Sequence, residues 1–213
     1  MPLQNRVTPF GDLVAVPARG ALTGNRGRLH DASRQIVRRQ VSGYRAWVTC
    51  RLEFKGRWRA VMAPHGYTEL FFLDEATALA AGHRPCGECR RGDYRRFKAA
   101  WLAGNPDRGL AGPVPIGALD RELHRDRSTS GGLPRTFLAD LATLPDGAFV
   151  ARGATALLVG GEALWPWSPE GYGDPTPKDA TGPVTVLTPL STVRALAAGY
   201  APSVHPSARR ARP

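Results

Sequence analysis

The chain has 213 residues, of which 42% are hydrophobic, and it carries a net charge of +11. This size and composition predict a globular protein with a real core, as one large domain or two small ones. No apolar run approaches the roughly 20 residues of a membrane span, and the first residues lack the apolar stretch of a signal peptide. We therefore predict a cytoplasmic protein with no membrane partner.

The positive charge is concentrated in the first third of the chain. Residues 1–60 carry 12 basic and three acidic side chains, residues 61–150 carry 11 of each, and residues 151–213 carry six and four. A general compositional drift towards arginine would spread this excess evenly. We interpret the first third as an electrostatic surface for a polyanion, and nucleic acid is the expected partner.

Short alternating runs broken by Gly and Asn predict hairpins and loops over residues 1–45, a basic N-terminal segment. The run YRAWVTCRLEF, the KGR turn and WRAVMAP predict a further hairpin, and YTELFF predicts a strand. DEATALAAG predicts a short helix that Asp74 caps and Gly82 ends. The helix predicted after the next two cysteines carries an inward aromatic stripe at helical spacing, formed by Tyr94, Phe97 and Trp101.

Residues 102–145 are predicted to form a helical connector. A Pro/Gly linker covers 102–115, IGALDRELHRDR predicts a helix, and RTFLADLATLPDG predicts a short helix that ends in a turn. Together with the short strands before and after it, this pattern predicts an α+β protein with small mixed or antiparallel sheets and short helices.

The last segment, 146–213, contains an echo of the middle of the chain. APHGY at 63–67 matches SPEGY at 168–172, and TELFFLDEATALAAGHRP at 68–85 matches TVLTPLSTVRALAAGYAP at 185–202. We interpret the segment as a degenerate second copy. Ser203 and Pro206 stand where the first copy has Cys86 and Cys89, so the second copy cannot hold a thiolate site.

The two cysteines of GHRPCGEC have the spacing with which one tight turn presents two sulfur atoms to a metal. We predict a Zn²⁺ site with Cys86, Cys89 and, from the upstream strand, Cys50 as ligands. The fourth ligand is then a histidine, a carboxylate or water, and among the histidines we favour His65 over His83 and His30. A redox dithiol and a pair of buried free cysteines are the alternatives for the CxxC, as an apolar filler is for Cys50.

The stretch DEATALAAGHRPCGEC resembles the second half of the zinc-binding N-terminal domain of the Ada DNA-repair proteins. The resemblance covers roughly residues 45–100 and includes an aromatic strand end, the ALAAG helix and an Arg-Pro-Cys-x-x-Cys knuckle. It implies a small α/β zinc domain, here 46–101, in which a thiolate accepts a methyl group from an alkylated DNA phosphotriester. The first cysteine pair of that family is absent from GRWRAVMAP, which leaves Cys50 as the candidate acceptor.

Basic residues crowd the knuckle and the helix that follows it. With the aromatic stripe turned inward, Arg91, Arg95 and Lys98 share the outward side, where contact with phosphates is the simplest use. The Gly-rich loop GNRGRLHD adds two arginines whose backbone can approach a phosphate closely. The predicted nucleic-acid-binding residues are Arg26, Arg28, Arg84, Arg90, Arg91, Arg95 and Lys98.

Three functions remain open from the sequence. The first is a zinc-containing DNA-interacting protein that acts in the repair or sensing of alkylation damage. The second is an enzyme that hydrolyses nucleic acid or removes a base, with His30, Asp31 and Glu69 as a general-base set or with an open zinc position. The third is a non-catalytic nucleic-acid-binding module in which zinc is structural.

Overall fold

The computed structural model describes residues 1–58, 60–110, 112–179 and 182–209. Two sheets and four short helices make up this part of the chain, so the predicted α+β class is confirmed. None of the helices found there has the length and apolar character needed to cross a bilayer.

The first sheet is mixed and has six short strands in the spatial order β2-β1-β5-β3-β4-β6. β1 runs parallel to β5, and β6 runs parallel to β4, whereas the other neighbours are antiparallel. Because β1 to β3 lie in the same sheet as β4 to β6, residues 1–45 and the region predicted as a zinc domain share one sheet. The strands are β1 (Arg6–Val7), β2 (Leu13–Val14), β3 (Leu22–Asn25), β4 (Val48–Arg51), β5 (Leu70–Phe72) and β6 (Arg84–Pro85).

The second sheet contains seven strands, and each of its pairings is antiparallel. Its spatial order is β11-β10-β9-β8-β13-β7, and β12 pairs with β10. The strands are β7 (Phe137–Asp140), β8 (Phe149–Arg152), β9 (Thr155–Gly160), β10 (Ala163–Ser168), β11 (Gly171–Tyr172), β12 (Thr176–Pro177) and β13 (Pro183–Val186).

The helices are α1 (Glu75–Ala80), α2 (Arg91–Gly104), α3 (Ile116–Arg127) and α4 (Leu190–Ala197). α1 begins and ends as its sequence predicts. The Asp74 carboxylate accepts a hydrogen bond from Thr77 N at 2.8 Å, and Gly82 follows the helix with a φ of 79°. Short 3₁₀ turns follow at 106–108, 141–143 and 206–209.

Two sequence-based predictions of local structure are wrong. β4 does not form a hairpin with WRAVMAP: it pairs with β3 and β6, and the described residues of that run, 58 and 60–64, contain no strand. RTFLADLATLPDG begins with strand β7 and not with a helix. In β7, Phe137 and Ala139 pack on the core while Leu138 is exposed, which is the period of two that defines a half-buried strand.

The largest hydrophobic core lies between the helices and the second sheet. Phe97 and Trp101 of α2 are buried there, so these two positions of the predicted stripe face inward, and Tyr94 packs against their cluster. Phe97 meets Tyr200, which follows α4, edge to face at a ring distance of 5.2 Å. The middle of the chain and its C-terminal segment therefore contribute to one core.

Candidate metal centre

Parallel pairing of β4 with β6 brings distant cysteines together. Thr49 lies opposite Pro85 in this ladder, and Cys86 N donates to Thr49 O at 2.9 Å. Because Cys50 follows Thr49 and Cys86 follows Pro85, the two side chains become neighbours at the end of the ladder. The loop and helix between the two strands thus place Cys50 beside the CxxC turn.

The CxxC turn curls around the Cys86 sulfur. Glu88 N donates to Cys86 Sγ at 3.4 Å, and Arg90 N donates to Cys86 O at 3.2 Å just before α2 begins. The sulfur atoms of Cys50, Cys86 and Cys89 all lie within 4.8 Å of one another. Tetrahedral zinc with its usual bonds to sulfur would place them roughly 3.8 Å apart, so a small inward movement is enough.

The pKa values of the three thiols are shifted in different directions. The hydrogen bond from Cys50 is the main cause that lowers the pKa of Cys86, and the same contact, followed by burial, raises the pKa of Cys50. Burial also raises the pKa of Cys89. The cluster can therefore bind a metal ion: a cation would replace the protons that two of the sulfurs retain. Three thiolates are donors that suit a soft or borderline ion such as Zn²⁺.

No histidine joins the three sulfurs in the part of the chain that the structure describes. His65, the favoured fourth ligand, is exposed and lines a separate groove beside Arg28 and Arg38. His83 is fully buried between the rings of Trp47 and Phe72, at centroid distances of 5.1 and 4.8 Å.

His30 is occupied by its own neighbours. Its Nε2 donates to Ala63 O at 3.1 Å, and its Nδ1 lies 2.7 Å from Thr68 Oγ1. Asp31 is exposed and accepts bonds from two backbone N–H groups of its own turn, and Glu69 accepts one from Met62 N at 2.7 Å. No hydrogen bond among the described residues joins His30, Asp31 and Glu69, so the predicted general-base set is not assembled.

The cysteines lie in a cleft with aromatic walls, which the sequence reasoning missed. Its lining includes Phe54, Trp58, Tyr67 and Phe71, and the Trp58 side chain is 87% exposed. The largely buried carboxylate of Glu69 and the arginines Arg51 and Arg57 line the same cleft. A sequence signal was present, because Phe54 and Trp58 flank the polar KGR turn, where no core requires them.

Three of the predicted nucleic-acid-binding arginines are buried. Arg84 is buried and forms a bidentate ion pair with Asp120 at 2.7 and 2.8 Å. Arg90 is buried and contacts Glu75 at 2.7 Å, Asp93 at 2.9 Å and Thr49 Oγ1 at 3.0 Å, which ties α1, α2 and β4 together beneath the knuckle. Arg26 is buried as well, and the contact of these three side chains with nucleic acid stays a prediction.

The remaining basic residues keep an outward position. Arg91 and Arg95 are exposed on α2, and the half-buried Lys98 donates to Val114 O. They line a groove that also contains Cys86 and therefore continues from the aromatic cleft. Arg28 is exposed as well, next to His65.

Comparison of the chain with protein-family models, with curated proteins and with solved structures finds no match. The centre is therefore interpreted from its own residues and geometry.

Proposed function

We propose that the protein binds Zn²⁺ through Cys50, Cys86 and Cys89 and accepts an alkyl group from damaged DNA on one of these thiolates. The observation that carries the proposal is the position of three sulfur atoms, within 4.8 Å of one another, in a cleft beside a basic groove. The resemblance of DEATALAAGHRPCGEC to the Ada zinc-binding domain supports the same reaction.

Bound zinc would keep the thiolates deprotonated and nucleophilic at neutral pH. Cys50 and Cys86 are both half-buried and line the cleft, whereas Cys89 is buried. Because the Ada resemblance assigns Cys86 and Cys89 to the knuckle, Cys50 is the proposed acceptor. Its sulfur forms a bond to the methyl carbon as the bond from that carbon to the phosphotriester oxygen breaks. The DNA leaves as an ordinary phosphodiester anion, and the protein keeps a thioether.

The basic groove supplies the proposed DNA contact. Arg91, Arg95 and Lys98 line it together with Cys86, so phosphates bound there lie beside the sulfur cluster. Contacts of this kind position a nucleic acid without reading its sequence, and they weaken as salt rises.

Metal analysis tests the zinc site. We expect about one zinc per chain in protein purified without chelator, a loss of nearly all of it in Cys86→Ser, and no change in Ser203→Ala. Cys50→Ser is the decisive variant, because retention of full zinc there would show that the three-thiolate site is wrong.

Mass spectrometry after incubation with DNA that carries methyl phosphotriesters tests the reaction. We expect a mass gain of one methyl group per chain, mapped to Cys50 and absent from Cys50→Ser. Arg91→Gln and Arg95→Gln should weaken DNA binding and reduce its salt dependence, while Arg152→Gln, an exposed arginine of β8, should not. A methyl group found on Cys86 would overturn the assignment to Cys50, and no uptake at all would overturn the reaction.

A second candidate is a metal-dependent hydrolase that acts on a nucleobase. It is favoured by the Glu69 carboxylate, which lines the cleft with the cysteines and with four aromatic side chains suited to stacking on a base. Product formed in excess of protein, and abolished in Glu69→Gln, would support hydrolysis over stoichiometric uptake. Salt-dependent DNA binding without either reaction would leave the non-catalytic module.

A further inference from the structure

A cluster of arginine side chains lies away from the sulfur atoms, in a small cavity between the first sheet, α1 and the end of α3. Four arginines line it, Arg26, Arg39, Arg127 and Arg135, and no acidic residue does. The remaining wall is largely apolar and includes Phe10, Trp47, Pro134 and Leu187.

Two of the guanidinium groups form the floor of this cavity. Arg26 and Arg127 are only 3% and 4% exposed, and both lie over the Trp47 ring, at 4.8 and 4.2 Å from its centroid. Arg26 donates to Gly11 O at 3.0 Å, and Arg127 donates to Gly82 O at 3.1 Å and to Arg45 O at 2.6 Å. These partners are neutral carbonyls, and Arg127 Nη2 also lies 3.2 Å from His124 Nδ1. None of these groups carries a negative charge that would balance the guanidinium groups.

Neither floor arginine has a carboxylate within ion-pair distance among the described residues. The two acids that influence them are already paired, Asp12 with Arg39 and Asp120 with Arg84. The Nε atoms of Arg26 and Arg127 are buried and have no hydrogen-bond partner among the residues that the structure describes. Buried charges are normally paired, so this arrangement would favour the binding of an anion.

The electrostatics agree with the contacts. Burial, followed by repulsion from Arg39, lowers the pKa of Arg26 to about 10. Burial also lowers the pKa of Arg127 to about 9, with repulsion from Arg26 and Arg84 adding to it. Both groups remain cations at neutral pH, and each would be stabilised by a negative charge in the cavity that they line.

We propose that this arginine cavity binds a phosphate group. Guanidinium groups recognise phosphate oxygens through parallel charge-assisted hydrogen bonds, and four of these groups line the cavity with no carboxylate among them. The enclosed space measures about 20 Å³, little more than the roughly 10–15 Å³ that a single water needs. It excludes a whole nucleotide, and a phosphate group would be held at its open side with one oxygen directed inward.

The mouth of the cavity allows two sources for that phosphate. Arg39 and Arg135 are exposed, and Arg135 ends the exposed loop that follows α3. A free inorganic phosphate can enter there, and so can the terminal phosphate of an oligonucleotide whose remaining length stays outside. The site does not depend on the zinc centre or on the proposed alkyl transfer.

Titration calorimetry with inorganic phosphate, on protein purified in phosphate-free buffer, tests the site. We expect saturable one-site binding that chloride at equal ionic strength does not reproduce. Arg135→Gln should weaken binding about tenfold, because a hydrogen bond to a charged group is lost, and Arg26→Gln should remove it. Arg152→Gln, which removes an equal charge elsewhere, should bind as the wild type does.

A 5′-phosphorylated oligonucleotide and its unphosphorylated counterpart, used as competitors, distinguish the two sources. Competition only by the phosphorylated strand assigns the site to a nucleic-acid end, whereas no competition assigns it to free phosphate. Absence of saturable phosphate binding, or wild-type affinity in both Arg135→Gln and Arg39→Gln, would overturn the site even if Arg26→Gln fails to fold.

Discussion

The two ALAAG segments end their helices in the same way and then take different paths. Ala81 N and Ala198 N each donate to the carbonyl four residues earlier, at 3.0 and 2.9 Å, and the glycines that follow have φ values of 79° and 96°. After the first glycine the chain forms β6, which pairs with β4 and delivers Cys86 to Cys50. The end of each helix is therefore set by residues close in sequence. The path of the chain after the helix depends instead on which strand lies beside it.

The second segment docks onto the first. Instead of forming a strand, the chain after Gly199 passes α1, where the Ser203 N–H donates to the Glu75 carboxylate at 3.0 Å. Tyr200 donates its hydroxyl to the same carboxylate at 2.5 Å. The residue that replaces Cys86 in the sequence echo thus stabilises the helix that precedes the knuckle.

The strands before the two helices differ more than their sequences suggest. β5 lies between β1 and β3 and ends two residues before Asp74, whereas β13 lies between β8 and β7 and ends at Val186, the match of Glu69. The echo therefore extends to the helix ends and not to the sheets, and a degenerate second copy stays a prediction.

The largest difference in the free energy of unfolding is expected between substitutions at the start of the two helices, where Asp74 matches Ser191. Asp74 accepts hydrogen bonds from Thr77, from the Tyr172 hydroxyl at 2.7 Å and from His205 N at 2.9 Å. Asp74→Ala removes a cap and leaves buried donors unpaired, so we expect a loss of about 4 kcal/mol in the free energy of unfolding. Ser191 Oγ is buried with no partner among the described residues, and Ser191→Ala should be neutral or stabilising.

Denaturant unfolding of both variants measures this contrast. Equal losses in Asp74→Ala and Ser191→Ala would show that the two helix starts are equivalent, contrary to the structure.

A smaller contrast is expected at the two glycines. A Cβ on Gly82 would meet Arg127 Cδ at 2.6 Å and Arg127 Cβ at 2.9 Å, while a Cβ on Gly199 would meet nothing within 4 Å. Gly199→Ala should cost about 1 kcal/mol, the strain of a left-handed backbone. Gly82→Ala adds the clash and should cost about 3 kcal/mol. Thermal unfolding at matched pH compares them, and identical melting temperatures would contradict the packing of Arg127 on this turn.

The smallest expected effect is a pH dependence of the free energy of unfolding. It has opposite signs for His83 and Tyr200, the residues that directly follow Gly82 and Gly199. Burial lowers the pKa of His83, so the unfolded chain takes up a proton first and stability falls as pH drops below about 6.5. Burial and Glu75 raise the pKa of Tyr200, so stability falls as pH rises above about 10.

Unfolding of His83→Gln and Tyr200→Phe across pH tests these signs. His83→Gln should reduce the loss of stability between pH 7 and 5.5 by about 1 kcal/mol and leave the alkaline side unchanged. Tyr200→Phe should flatten the alkaline side alone. A variant that changes the opposite limb would refute the assignment.

Much of the local structure follows from the sequence because it depends on neighbours along the chain. The cap at Asp74, the glycine at position 82 and the apolar positions 97 and 101 of α2 are all set by spacing within one or two turns. The hairpin predicted over residues 44–64 does not form, because alternating residues do not show which strand they will pair with. The predicted helix after residue 135 is instead strand β7, because FLADLATL fits both periods over so short a stretch.

The features of the candidate site can be divided in the same way, into those set by neighbours along the chain and those set by contacts between distant residues. Residue type and short spacing are enough to identify the CxxC turn, Cys50 as a third sulfur and the exposed Arg91 and Arg95. Three other features depend on contacts between distant residues: the parallel pairing of β4 with β6, the aromatic walls of the cleft, and the burial of Arg84 and Arg90. The reason is that an arginine is exposed or buried according to whether an acid such as Asp120, far along the chain, reaches it in the fold.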